Sequence, residues 1–163
     1  MIFTPILCTG KLRIDMAKTR VSINLKGLKT TRKEVRAAVE EAIEIIGEDF
    51  IRTSSEAAPK DKGVLEDSHS YSAAWEGASY NAVIDYSVKE ENGNHGFDYA
   101  EYIHESDYYN LGENSLQKAD GGGATGMSGK TYEVDRRFMS RVIEGEQEAY
   151  TQVVEDLVKD ACK

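Results

Sequence analysis

The chain is poor in the residues that most small functional sites are built from. It has two cysteines in 163 residues, Cys8 and Cys162, one near each end. That count and placement exclude a disulfide framework and a cysteine-based zinc knuckle, and make a reduced, cytosolic setting the expectation. Only three histidines are present. His95 with Asp98, and His104 with Glu105, are the neighbouring His–acid sets, and neither has a recognised metal-ligand spacing. No Gly-x-Ser-x-Gly elbow occurs, and the cysteines lie in terminal segments where a Cys/His pair is hard to assemble. No apolar run approaches the roughly 20 residues needed to cross a bilayer. The apolar start, Met1 to Leu7, lacks a basic leader and a small-residue cleavage site, so no signal peptide is expected. Catalytic, metal and cofactor sites are therefore expected to be absent, and membrane association is not expected.

What is present is charge, unevenly spread. The net charge is −9. Residues 1–33 hold eight Lys/Arg against Asp15 alone, a surplus of seven, so residues 34–163 carry −16. An acidic body repels phosphates and excludes a general nucleic-acid clamp. A basic segment on an acidic body instead favours head-to-tail self-association. Lys11, Arg13, Lys18 and Arg20 are the candidate contact residues of that basic segment, and Tyr108 and Tyr109 are candidates elsewhere. Of nine tyrosines, seven fall between Tyr71 and Tyr109, where an acidic surround favours core and protein interface over RNA stacking.

Length and composition fit one domain. Residues 1–18 read as a basic arm or upstream extension, with Met16 a natural start, and residues 19–163 as a single domain. Val21, Ile23 and Leu25 alternate with polar neighbours as in a half-buried strand. Thr31-Arg-Lys-Glu34 is a capping box. Val35, Val39, Ala42, Ile43, Ile46 and Phe50 follow it at helical spacing, and Pro59 requires the helix to stop by Ala58. Two alternating segments, around His69–Trp75 and Tyr80–Val88, are close enough to form a hairpin. Tyr99–His104 reads as a further strand or its edge. Residues 107–131 are polar and rich in glycine, and read as a long flexible loop, mobile over 112–130. A second long helix is expected from an Asp135 N-cap to about Ala161, with Gly145 a weak point. The expected fold is α+β: a small antiparallel or mixed sheet of about four strands on two long amphipathic helices.

Ala124-Thr-Gly-Met-Ser-Gly-Lys130-Thr131 matches a permissive phosphate-binding loop. That mechanism needs a buried strand leading in and a helix leading out. Gln117–Gly121 is not strand-like and the next helix begins too late, so a glycine loop is the preferred reading. A nucleotide-binding factor using Lys130 and Thr131 is the minor alternative. An antitoxin-like binding module of the host cell is a third.

Three ordered segments resemble a known family. Ala57-Ala58-Pro59-Lys60-Asp61-Lys62-Gly63-Val64-Leu65, with Ser68, resembles the A-P-x-D-T-G-x-L-x-x-S signature of the HK97 gp10-like proteins of tailed phages, with Lys62 in place of threonine. Tyr99-Ala100-Glu101-Tyr102-Ile103-His104-Glu105 is similar to that family's Y-A-x-Y strand. Gly129 through Phe138 and the helix after it are similar to its G-x-x-F-L-x-x-A-L segment. The resemblance spans roughly residues 18–163. Its motif residues read as scaffold: Pro59 stops a helix, Gly63 permits a left-handed turn, and Leu65 plugs the core. The resemblance implies a ring-forming neck component of a virion, a head–tail connector or tail-completion protein, made in the bacterial cytoplasm. Its partners would be further copies of itself and neighbouring neck, portal or tail-tube proteins, with genomic DNA passing only non-specifically. A tail terminator or minor capsid protein of the same virion is the near alternative.

Overall fold

A computed structural model describes residues 13–15, 18–24, 33–60, 64–88, 98–106 and 110–162. Residues 13–24 are described through their backbone, as is Glu105. The elements are β1 (Arg13–Asp15), β2 (Lys18–Asn24), α1 (Lys33–Ala57), β3 (His69–Glu76), β4 (Ser79–Tyr86), α2 (Tyr99–Glu105), α3 (Glu113–Asp120), β5 (Ala124–Thr125), β6 (Thr131–Tyr132) and α4 (Phe138–Ala161). The protein is α+β.

Strands β1 to β4 form an antiparallel sheet in the order β1-β2-β4-β3. Glu76 pairs with Ser79, so Gly77 and Ala78 alone make the hairpin turn. Gly77 has φ +63, the left-handed conformation that such two-residue turns need. Along β4 the burial alternates strictly. Tyr80, Ala82, Ile84 and Tyr86 are buried, while Asn81, Val83 and Asp85 are half-buried. That alternation gives the sheet one core face. On β2, Val21 stands opposite Ala82 and Ile23 opposite Tyr80.

α1 lies on that face and packs along α4. Its stripe of Val35, Val39, Ala42, Ile43, Ile46 and Phe50 is buried throughout. It ends at Ala57, two residues before Pro59, because proline disfavours helical geometry in the residue before it. From α4, Phe138, Met139, Val142, Ile143, Tyr150 and Val154 enter the same core. Among the described residues no helix is long and apolar enough to cross a membrane.

Four sequence expectations are corrected. Residues 99–105 are a helix, not a strand. Ala100, Ile103 and His104 are buried on one side while Glu101 and Tyr102 are exposed, which is helical spacing. Asp98 caps this helix by accepting from the Ala100 amide at 2.9 Å. Second, the 107–131 segment is not a structureless loop: it contains α3 and β5, and β5 pairs with β6 in a short ribbon. Third, residues 13–15 of the supposed arm are a strand of the main sheet. Fourth, α4 starts at Phe138, not at Asp135. The Asp135 amide donates to the Ala57 carbonyl at 3.2 Å, and Arg137 takes a left-handed φ of 53 before the helix begins. The half-buried Arg141 guanidinium holds this approach by donating to the carbonyls of Glu133, Asp135 and Arg136 at 3.0–3.2 Å. Residues 31 and 32 of the capping box, and the turn 61–63, lie outside the described residues.

Candidate functional site

The three motif segments meet at one place. Tyr86, at the end of β4, is fully buried. Its hydroxyl lies 2.8 Å from the hydroxyls of both Ser54 and Ser55, and 3.2 Å from the Ile51 carbonyl, all on α1. Burial raises the Tyr86 pKa, so it stays a neutral hydrogen-bonding post. Its ring meets Phe138 edge-on, with centroids 5.3 Å apart, and Phe138 in turn meets His104 edge-on at 5.7 Å. The His104 Nε2 lies 3.1 Å from the Ser140 hydroxyl, and the ring is 3 % exposed. His104 is thus a packed core histidine joining α2 to α4. Ala100, Ile103, Leu65 and Ala58 belong to the same core cluster.

The exit of α1 is fastened by α3, which the sequence reading did not anticipate. Pro59 is buried. The Lys60 amide donates to the Ser115 hydroxyl at 2.9 Å, and that hydroxyl donates back to the Lys60 carbonyl at 3.0 Å. Lys118 donates to the carbonyls of Ser55 and Ala58 at 2.9 and 2.8 Å and pairs with Glu66. A cation at the last carbonyls of α1 complements the helix dipole. Ser68 closes the next turn by donating to the Leu65 carbonyl from both amide and hydroxyl, at 3.2 and 2.8 Å. Asp98 ties α2 to β4 by accepting from Ser87 at 2.6 Å and from the Val88 amide at 3.1 Å. Burial opposes its ionisation, but these donors together hold its pKa below the usual carboxylate range.

The β5–β6 ribbon is gripped by two carboxylates. Glu146 of α4 is fully buried. It accepts from the Ser128 amide, the Ser128 hydroxyl and the Tyr132 hydroxyl, each at 2.6 Å. Burial alone would raise its pKa, yet those donors and the Lys130 charge lower it, so it is held ionised. The same contact, with burial, raises the Tyr132 pKa. Asp49 of α1 accepts from Tyr150 at 2.9 Å, from Arg52 at 2.5 Å and from the Met127 amide at 3.3 Å. Gly126 is required here, because a Cβ would sit 2.4 Å from a Glu146 oxygen.

This geometry differs from a phosphate-binding loop. Lys130 donates to the Gly145 carbonyl at 2.6 Å, and Thr131 is a strand residue paired with Thr125. The amides of Gly126 and Gly129 bond inside the turn at 2.9 and 3.0 Å, and no helix follows it directly. The ribbon is a fastening, with its donors already used. Among the described residues no group of three or more His, Cys, Asp or Glu is placed to hold a metal.

Of the other anticipated residues, Arg13 lies on β1 and Lys18 and Arg20 on β2. Tyr99 packs partly against the core and Tyr102 is 43 % exposed. Lys11, Asp61, Gly63, Tyr108 and Tyr109 lie outside the described residues, as does the side chain of Glu105. Compared with known proteins, the chain matches no family model, no curated protein and no solved structure.

Proposed function

We propose that this protein is a self-assembling structural component of a tailed-phage virion: a ring in the neck, the connector or tail-completion position between portal and tail. The observation that carries the reading is the meeting of its three motif segments. The end of α1 at Ala57, the Ala100–His104 helix and Phe138 are spread over about 80 residues of sequence, yet join one core, where the Asp135 amide donates to the Ala57 carbonyl and the His104 ring meets Phe138. Short motifs that recur together for structural reasons are expected to share one packing site. Here they form scaffold, with Ser68 and His104 hydrogen-bonded within the fold.

The charge distribution supports the same reading. A body of −16 outside the basic first 33 residues lets DNA pass a lumen without sticking. The basic segment and the acidic remainder also give one copy something to attract in the next. Partners are further copies of the chain and adjoining neck, portal or tail-tube proteins, and the place of action is the virion. Tail terminator and minor capsid protein are the neighbouring stations within this reading.

Sedimentation velocity of the full chain over a wide concentration range tests it. A discrete oligomer of several copies is expected. A monomer at every concentration, and in the particle that carries it, overturns the proposal.

A further inference from the structure

β3 ends the main sheet, and among the described residues it pairs with β4 alone. Its sequence, His-Ser-Tyr-Ser-Ala-Ala-Trp-Glu, holds no proline, lysine or arginine, and its register with β4 runs without a bulge. Natural sheets usually blunt an edge with those devices, because an unprotected edge pairs with other chains. The Ser87 amide donates to the Ser68 carbonyl at 3.5 Å, so the Ser68 backbone faces β4. By the two-residue alternation of an antiparallel ladder, Ser70, Ser72 and Ala74 do the same, while Tyr71, Ala73 and Trp75 turn their N–H and C=O groups to the outer edge. His69, Ser70, Tyr71 and Ser72 are all exposed, on both faces of the strand.

α1 runs alongside this edge, antiparallel to it. Glu40 accepts from the Trp75 indole at 2.5 Å, and further along, the Tyr71 ring lies 3.0 Å from where a Cβ on Gly47 would stand. Glu44 and Glu48, one turn apart on either side of Gly47, are both exposed. They are near enough to Tyr71 that their charges add to burial in raising its pKa. Among the described residues neither carboxylate has an ion-pair partner, and like charges one turn apart repel each other. Arg36 serves the other end of the row, where its guanidinium lies over the Trp75 ring at 3.9 Å.

We propose that this edge is a docking site for an extended, basic segment of a partner protein, added to the sheet as a further strand beside β3. Backbone pairing with Tyr71, Ala73 and Trp75 supplies affinity, and alternate side chains supply specificity, as in strand addition generally. Alternate residues of the visiting strand are about 6.7 Å apart, and one helical turn sets Glu44 and Glu48 about 6 Å apart along α1. The surface therefore selects lysine or arginine at every second position, on the face that α1 covers. A second copy docking its own β3 here would bring two such glutamate pairs to one face, which like-charge repulsion opposes. The inference is independent of the ring reading, which concerns copies of this chain.

Trp75 is the chain's one tryptophan and stands at this edge, so its fluorescence reports docking directly. The full chain is titrated with short synthetic peptides: one alternating lysine with valine, one of the same composition with its lysines in a block, and the alternating peptide N-methylated along its backbone. Saturable binding of the alternating peptide is expected. The blocked peptide is expected to bind about fivefold more weakly, because only part of its charge reaches the two glutamates. N-methylation keeps the charges, removes the donors and is expected to abolish the fluorescence change. Glu44→Gln combined with Glu48→Gln changes exposed positions, and melting curves confirm that the variant is folded. It should bind the alternating peptide about fivefold more weakly, and added salt should weaken the wild-type complex. No saturable binding of the alternating peptide, or equal binding after N-methylation or in the Gln variant, overturns the proposal. A Trp75 change that follows protein concentration without peptide would assign the edge to a second copy and overturn it too. The ring reading, tested by sedimentation, does not fall with it.

Discussion

Two places on α4's inner face, two turns apart, are held by opposite kinds of force. At its start, Phe138 sits between the rings of Tyr86 and His104, in a junction whose energy is burial and ring packing. Two turns on, Glu146 is equally buried, but it holds the β5–β6 ribbon through three charge-assisted hydrogen bonds. The second junction depends on an ionised carboxylate. A single helix thus carries one contact built on ring packing and one built on a charged group.

The largest expected effect lies in the apolar junction. Phe138→Ala removes the ring that both Tyr86 and His104 meet, and should cost about 3–5 kcal/mol in urea unfolding. A loss under about 1 kcal/mol would mean that the junction does not hold the segments together. Glu146→Gln keeps the shape but removes the charge, and should cost about 1.5–3 kcal/mol, the range for hydrogen bonds to a charged group. Faster amide exchange should appear at Met127 and Ser128 and not at Ile103.

The pH dependence separates the two junctions further. The folded pKa of Glu146 is depressed, so the folded state binds protons less readily than the unfolded one. Its stabilisation is present above the unfolded carboxylate value and is lost as pH falls through the folded value. Asp98 is depressed too and contributes in the same direction. Stability should therefore fall on acidification below the ordinary carboxylate range. Glu146→Gln should flatten that fall in part. An identical acid slope in the Gln variant would contradict the assignment. Smallest of all, Lys130→Ala should change stability by no more than about 0.5 kcal/mol, as expected of an exposed side chain. Calorimetric titration of wild type with ATP and Mg²⁺ should give no binding heat; a clear isotherm lost in this variant would revive the nucleotide reading.

Much of the frame was legible because it is written in local periodicity. The α1 stripe from Val35 to Phe50, the stop before Pro59 and the β3–β4 hairpin all follow from spacing and turn chemistry. The misread pieces were those where local pattern is ambiguous or where a distant partner decides. Tyr99–Glu105 is too short for alternation to distinguish strand from helix. The deciding signal was Asp98 three residues before Glu101, the same capping spacing that marked Thr31 and Glu34. The glycines of 121–129 masked a ribbon, because its order comes from Glu146 and Asp49 on distant helices. The roles of Ser115 and Lys118 at the exit of α1 were invisible for the same reason. Nor could the sequence say which hairpin arm would be central. β3 and β4 alternate alike, and only the arrival of β2 on β4 makes one the interior and the other the edge.

Negative-stain electron microscopy of the purified full-length chain tests the central claim most directly. The account predicts closed rings with a central opening, built from copies related by one repeated rotation. Fields of isolated single-copy particles under conditions where the chain is folded would contradict it.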